Sequence, residues 1–344
     1  MGSRRFHNLD AMRGICALSI VFFHSDGLFR TGEVFCHGFL AVDMFFILSG
    51  FVLAHTYEAR LEQGMTTAAF GRARLKRLAP VYWAGTLLGA LMLIAVARFH
   101  DFYTPLQIAG LSALAMVVVP QLTLGGLAYP ANPVAWSLLG ELIANLIYAR
   151  WLAKWRTRHL GLIVALGWAA SAAAGYANGR GWCFGATAQT VLLTPVRAIP
   201  GFLAGVVVFR LYRRGVFARV PAVSPLVPLL VWTVIAQVPT FGATPTFDML
   251  VVTLVCPLLL ILLVRAPERS PKPLLWLGAI SYPLYASHLA VLMTARYTPW
   301  FGLDRGADFL RASFMLATAI AIAWAIHRVV ERPWPRARPV NAAA

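Results

Sequence analysis

The chain has 344 residues, of which 59% are hydrophobic and only 12% charged, with a mean hydropathy of +0.70 and a formal net charge of +17. An average soluble domain is about 25% charged, so this composition excludes a soluble globular enzyme and predicts a polytopic membrane protein, with room for about ten helices at about 20 apolar residues per crossing. The excess of Lys and Arg reads as the basic cytoplasmic loops of such a protein and not as a nucleic-acid footprint.

Apolar windows predict helices near residues 9–25, 37–56, 78–98, 106–123, 134–151, 160–177, 197–213, 225–238, 248–264, 274–296 and 308–330. Arg13 interrupts the first window and no small-residue cleavage site follows it, so a retained helix is expected and not a signal peptide. Arg4 and Arg5 place the N-terminus inside, and two crossings bring Arg72, Arg74, Lys76 and Arg77 back to the same side. If window 106–123 crossed fully, the basic stretches at 150–159 and 210–219 and the tail after Glu331 would all lie outside. A segment 105–133 that enters and leaves from one side returns every basic cluster to the cytoplasm. Pro105, Pro120, Gly125, Gly126, Pro130 and Pro133 punctuate that segment, and broken backbone at membrane depth is tolerated where protein or water surrounds it.

The expected fold is therefore an all-α polytopic bundle of ten transmembrane helices, one integral membrane domain over residues 1–344. It has a re-entrant segment at about 105–133, a tail at about 331–344, and both termini in the cytoplasm. Cys16 and Cys256 fall in apolar runs as packing residues. Cys36 and Cys183 fall on the outer side, where a disulfide is chemically possible. No C-x-x-C spacing suggests metal or redox chemistry, and the aromatic residues read as interfacial belts.

Polar residues inside the apolar windows carry the functional signal. Arg13 and His24 are eleven residues apart, which returns within about 20° to the same helix face, roughly 16 Å along the axis. An Arg snorkelling to headgroups and a His closing the outer helix end would explain that pair alone. Asp43, Glu141 and His288 are also within apolar runs. Arg13, Asp43 and Glu141 facing lipid would together cost about 8–10 kcal/mol, comparable with a whole domain's stability of about 5–15 kcal/mol, so these groups are expected to converge on a polar interior. Ser137 and Glu141, spaced i, i+4, share a face, as do Tyr285 and His288, spaced i, i+3. Arg74 and Arg77, in "GRARLKRLAPVYW", suit lipid headgroups or a phosphate ligand. Glu331 has the choice of these arginines or a plain interfacial ion pair. No Walker loop, G-x-S-x-G elbow or H-E-x-x-H is present.

The segments "NLDAMRGICALSIVFFHS", "FLAVDMFFILSGFVLA", "RLKRLAPVYW", "WSLLGELIANLIY", "ISYPLYASHLAV" and "ERPW" occur in the order of the hallmark segments of the membrane-bound acyltransferase 3 family, which the chain resembles from about residue 8 to 334. The resemblance implies transfer of an acyl group, acetyl by default, from cytoplasmic acyl-CoA as co-substrate to a hydroxyl or amine of a carbohydrate or other envelope-linked or secreted acceptor. It implies a bacterial inner-membrane location and no metal. Arg13 and His24 match the family's Arg and His pair, and Arg74 and Arg77 its Arg-x-x-Arg, proposed to engage the donor or support the active site. Trp136, Ser137, Tyr285, His288 and Glu331 fall within the other blocks and are candidates for acceptor binding or support.

Thioester transfer needs a base for the acceptor proton and positive charge near the developing oxyanion. Near neutral pH His24 suits the base, or carries the acyl group itself. Arg13 is assigned to donor binding or electrostatic support, and Asp43 and Glu141 are candidates to orient His24 or hold Arg13. The competing reading is a polar-solute transporter or flippase with a CoA-independent channel. Acceptor identity and oligomeric state are not legible.

Overall fold

The computed structural model describes residues 6–29, 34–179, 181–239, 245–299 and 308–331. Arg4, Arg5 and the tail beyond Glu331 lie outside the described residues. Within them the structure is helical, apart from an isolated bridge between Leu127 and Thr187.

The helices are α1 (His7–Phe29), α2 (Ala41–Glu62), α3 (Thr67–Val96), α4 (Pro105–Met116), α5 (Ala135–Ile147), α6 (Thr157–Ala177), α7 (Thr194–Arg213), α8 (Leu226–Gln237), α9 (Pro245–Leu250), α10 (Cys256–Arg265), α11 (Lys272–Tyr297) and α12 (Asp308–Ile326). Single π-turns extend α5 to Leu152 and α12 to Glu331, and another joins α9 to α10. Among the described residues seven helical segments are long and apolar enough to cross a membrane. Leu87, Leu91 and Ile94 on α3 and Leu230 and Val234 on α8 are exposed, a lipid-facing surface that water would not tolerate. Cys36 is half-buried and Cys183 exposed.

Two elements depart from the apolar windows. α3 begins eleven residues early, because the Thr66 hydroxyl accepts from the Ala69 N–H at 3.2 Å and starts the helix ahead of its basic stretch. α4 stops at Met116, so window 106–123 is not one helix. Twelve residues span about 18 Å, short of the roughly 30 Å hydrocarbon core. Beyond it Val118, Gly125 and Gly126 adopt φ values of 58°, 68° and 60°. Gln121 knits this irregular stretch together. Its amide donates to the carbonyls of Gly125 (2.8 Å) and Leu127 (2.6 Å), and its carbonyl accepts from Thr123 and Leu124 N–H at 3.1 and 3.0 Å.

Glycine seams set the register of the bundle. α1 and α11 run parallel, with Gly14 against Gly278. A Cβ on Gly278 would strike the Asp10 carbonyl, and one on Gly14 would lie 2.7 Å from the Gly278 nitrogen. Small residues allow this approach of backbones. A second parallel seam joins α2 and α7, where a Cβ on Gly50 would strike the Phe202 carbonyl and one on Gly205 the Ile47 carbonyl. Gly278→Ala is expected to cost about 1–3 kcal/mol through overpacking, read as a lower melting temperature in detergent. Gly110→Ala, where an added Cβ meets nothing, is the control expected not to lower it.

Candidate active site

The α1–α11 seam places His24 and His288 at one height, since each lies ten residues beyond its seam glycine, Gly14 or Gly278. His24 Nδ1 is 3.0 Å from His288 Nε2. His288 is fully buried, with Nδ1 3.1 and 2.9 Å from the carbonyl oxygens of Leu284 and Tyr285. His24 is half-buried, its ring edge-on to Phe23, which packs on Phe39.

From this pair a line of polar groups runs back toward the end of the bundle where α1 and α3 begin. One turn before His288, the Tyr285 hydroxyl lies 2.7 Å from Ser137 Oγ on α5. Ser137 donates its own hydrogen to the Val134 carbonyl at 2.9 Å, so Tyr285 is the donor of that pair. One turn further along α5, Glu141 accepts from Ser49 on α2 and from Arg74 Nη2 on α3, both at 2.7 Å. Arg13, bonded to Asp10 at 3.3 Å, lies within electrostatic reach of Arg74, Arg77 and Glu141. Arg74 is buried and turns inward to Glu141, whereas Arg77 is exposed. Three arginines face two carboxylates there, and the surplus positive charge suits an anion.

The structure thus brings together Arg13, Arg74, Arg77, Glu141, Ser137, Tyr285, His288 and His24, and it corrects the expected pairing of Asp43. Asp43 does not meet His24 or Arg13. Arg197 on α7 holds it through Nη2–Oδ2 at 2.6 Å and Nε–Oδ1 at 3.0 Å, and Trp182 Nε1 donates to Oδ1 at 3.1 Å. The Arg197 guanidinium also donates to the Phe184 carbonyl at 3.0 Å and lies 5.2 Å from the Trp136 ring centroid. Asp43 and Arg197 are 1% and 3% exposed, and the clamp lies within electrostatic reach of Tyr285 on the polar line. Trp136 belongs to it and not to the histidine pair.

Glu141 hydrogen-bonds Arg74 and Ser49 and not His24, and it reaches Arg13 electrostatically. Glu331 turns back one helical turn onto His327 Nδ1 at 2.6 Å, so it does not reach the arginines.

The sequence reading missed Arg197, although a cation at the start of an apolar window is itself a signal that a buried carboxylate waits nearby. It also missed Ser49, whose hydroxyl is indistinguishable by pattern from any helix serine. Two further buried pairs escaped it: Glu58, which accepts from Tyr148 and Arg210 at 2.8 Å each, and His37 with Asp248 at 3.1 Å. Among the described residues no group of three or more His, Cys, Asp or Glu could hold a metal ion.

A line of hydroxyls, carboxylate and guanidinium ending at an imidazole can bind an anion at one end and move a proton at the other. The comparisons with known proteins bear on that chemistry. Protein 2 in the picA locus of Rhizobium radiobacter is 37% identical over 175 residues, covering 47% of this chain and 90% of that protein. No solved structure matches the chain. A family model described as an acyltransferase domain matches residues 6–328, a span that holds both histidines and the arginines on α1 and α3, and the chain belongs to this acyltransferase 3 family.

Proposed function

We propose that this membrane acyltransferase moves an acyl group, acetyl by default, from cytoplasmic acyl-CoA to a hydroxyl or amine of a carbohydrate or other envelope-linked or secreted acceptor. The observation that carries the reading is the polar line itself, with guanidinium groups at one end and an imidazole pair at the other. The arginine end would take the donor's phosphates. The thioester arm would extend along the interior, since Arg13 and His24 are roughly 16 Å apart along α1. His24 then acts as the base for the acceptor proton or as the acyl carrier.

The proposed membrane is a bacterial inner membrane, crossed ten times, with both termini cytoplasmic. The re-entrant placement of residues 105–133 is supported by contacts along α3. Trp83 Nε1 donates to the Met116 carbonyl at 3.0 Å, midway along α3. On the return, Asn132 Nδ2 donates to Thr86 Oγ1 at 3.1 Å. α4 therefore ends alongside the middle of α3, and the chain turns back toward α5.

The donor is tested without knowledge of the acceptor. Detergent-purified protein is melted with acetyl-CoA, longer acyl-CoAs and free CoA, beside Arg77→Ala and the Arg74→Ala, Arg77→Ala double variant. A ligand at 100 times its dissociation constant adds about 2.7 kcal/mol. The expected result is an upward shift that Arg77→Ala reduces and the double variant loses. Folded protein that shifts with no CoA species would favour the solute-transporter reading.

A further inference from the structure

We infer that His288 is a positioning residue that fixes the tautomer of His24, so that the reacting atom is His24 Nε2; the role in turnover rests on the acyl-transfer reading above. His288 Nδ1 faces two backbone carbonyls. A carbonyl only accepts, so Nδ1 carries the hydrogen and Nε2 of the neutral ring is left as an acceptor. The group 3.0 Å from that acceptor is His24 Nδ1, which must supply the hydrogen. A neutral imidazole has one N–H, so the His24 lone pair is on Nε2.

Besides His288, His24 has a hydrogen bond to the backbone of Ile20, one turn before it. Among the described residues no carboxylate is hydrogen-bonded to His24 or His288, and Asp43 and Glu141 are committed to Arg197 and Arg74. His288 occupies the place a carboxylate takes in a hydrolase triad, where the partner's task is to hold the tautomer and stabilise the imidazolium. It does so as a neutral acceptor. When His24 becomes charged, the Nδ1–H bond to His288 strengthens, and the carbonyls of Leu284 and Tyr285 polarise His288 in the favourable sense. His288 has no exposed surface, so bulk water does not compete for this role.

In direct transfer, the acceptor O–H proton passes to His24 Nε2 as the acceptor oxygen bonds to the thioester carbonyl carbon. The C–S bond then breaks, and the departing thiolate takes the proton back from Nε2. The products are an ester and a free thiol, and His24 returns to its starting tautomer. A transient acyl-His24 would form on the same nitrogen.

Two measurements test this. In membrane vesicles given radiolabelled acetyl-CoA, His288→Leu is expected to lower kcat by up to about 10⁴-fold, the loss seen when a catalytic histidine is left in the wrong tautomer, with KM for acetyl-CoA within about twofold. His288→Gln, whose carbonyl can accept from His24 Nδ1, should recover most of the loss. Wild-type kcat in His288→Leu, or equal loss in both variants when both melt as wild type does, would overturn the assignment. The second measurement needs no activity: long-range ¹H–¹⁵N spectra of protein labelled at histidine, assigned with His24→Gln. Protonated Nδ1 and bare Nε2 on His24 are expected, and the reverse tautomer sinks the inference. Wild-type vesicles that incorporate no label while the spectra show the expected tautomer would instead count against the acyl-transfer reading.

Discussion

Replacing His24 with alanine is expected to lower kcat for acyl transfer by about 10²- to 10⁴-fold, the usual contribution of a positioned base. The variant leaves His288 Nε2 buried without its donor, which costs about 1–3 kcal/mol. A modest drop in melting temperature is therefore expected alongside the kinetic loss. The shift produced by a CoA species should persist, because His24 sits at the opposite end of the polar line from Arg13, Arg74 and Arg77. Folded His24→Ala protein with wild-type turnover would remove the imidazole pair from the chemistry. If His24 carries the acyl group, wild-type protein given labelled acetyl-CoA without acceptor retains label, and His24→Ala does not.

The second large effect is structural. Asp43→Ala leaves the Arg197 guanidinium at 3% exposure without its anion and Trp182 Nε1 without its acceptor. Breaking one partner of a buried ion pair costs about 3–5 kcal/mol, and the detergent melt should fall accordingly. Replacing the whole pair with apolar residues of similar volume is often close to neutral. Asp43→Leu with Arg197→Met is therefore expected to recover most of the melting temperature. This double variant also separates two roles for Asp43. Recovered turnover means the clamp only holds α2 to α7, whereas recovered stability without turnover means the carboxylate acts in the reaction. The first outcome is expected, because both carboxylate oxygens are already engaged by Arg197 and Trp182.

Much of the site was legible because a membrane interior makes polar residues expensive. Arg13, Glu141 and His288 stood out for no reason other than cost, and the structure places them all on one polar line. Helical spacing also paired correctly within an element. Ser137 with Glu141 and Tyr285 with His288 each project along one face, and each pair serves as a rung. Choosing partners across elements from sequence failed for Asp43, which took Arg197. Glu141 was offered His24 or Arg13; it hydrogen-bonds Arg74 and reaches Arg13 electrostatically. Glu331 was offered the arginines or a plain ion pair, and it pairs with His327, its neighbour one turn away. The early start of α3 was missed because its first turns are basic, so the apolar window began only where the helix becomes lipid-facing.

By itself the sequence determined that the chain is a helical membrane protein, where nearly every helix lies, and which costly polar groups must be sheltered. These follow from the price of exposing charge or backbone to hydrocarbon, a local property of composition and period. Only the tertiary structure decided who meets whom. That depends on which helices run side by side and at what height, and here it is fixed by backbone contacts at Gly14 with Gly278 and at Gly50 and Gly205. A glycine carries no side-chain chemistry to read, yet by permitting contact at one point it sets the register ten residues away, where His24 meets His288.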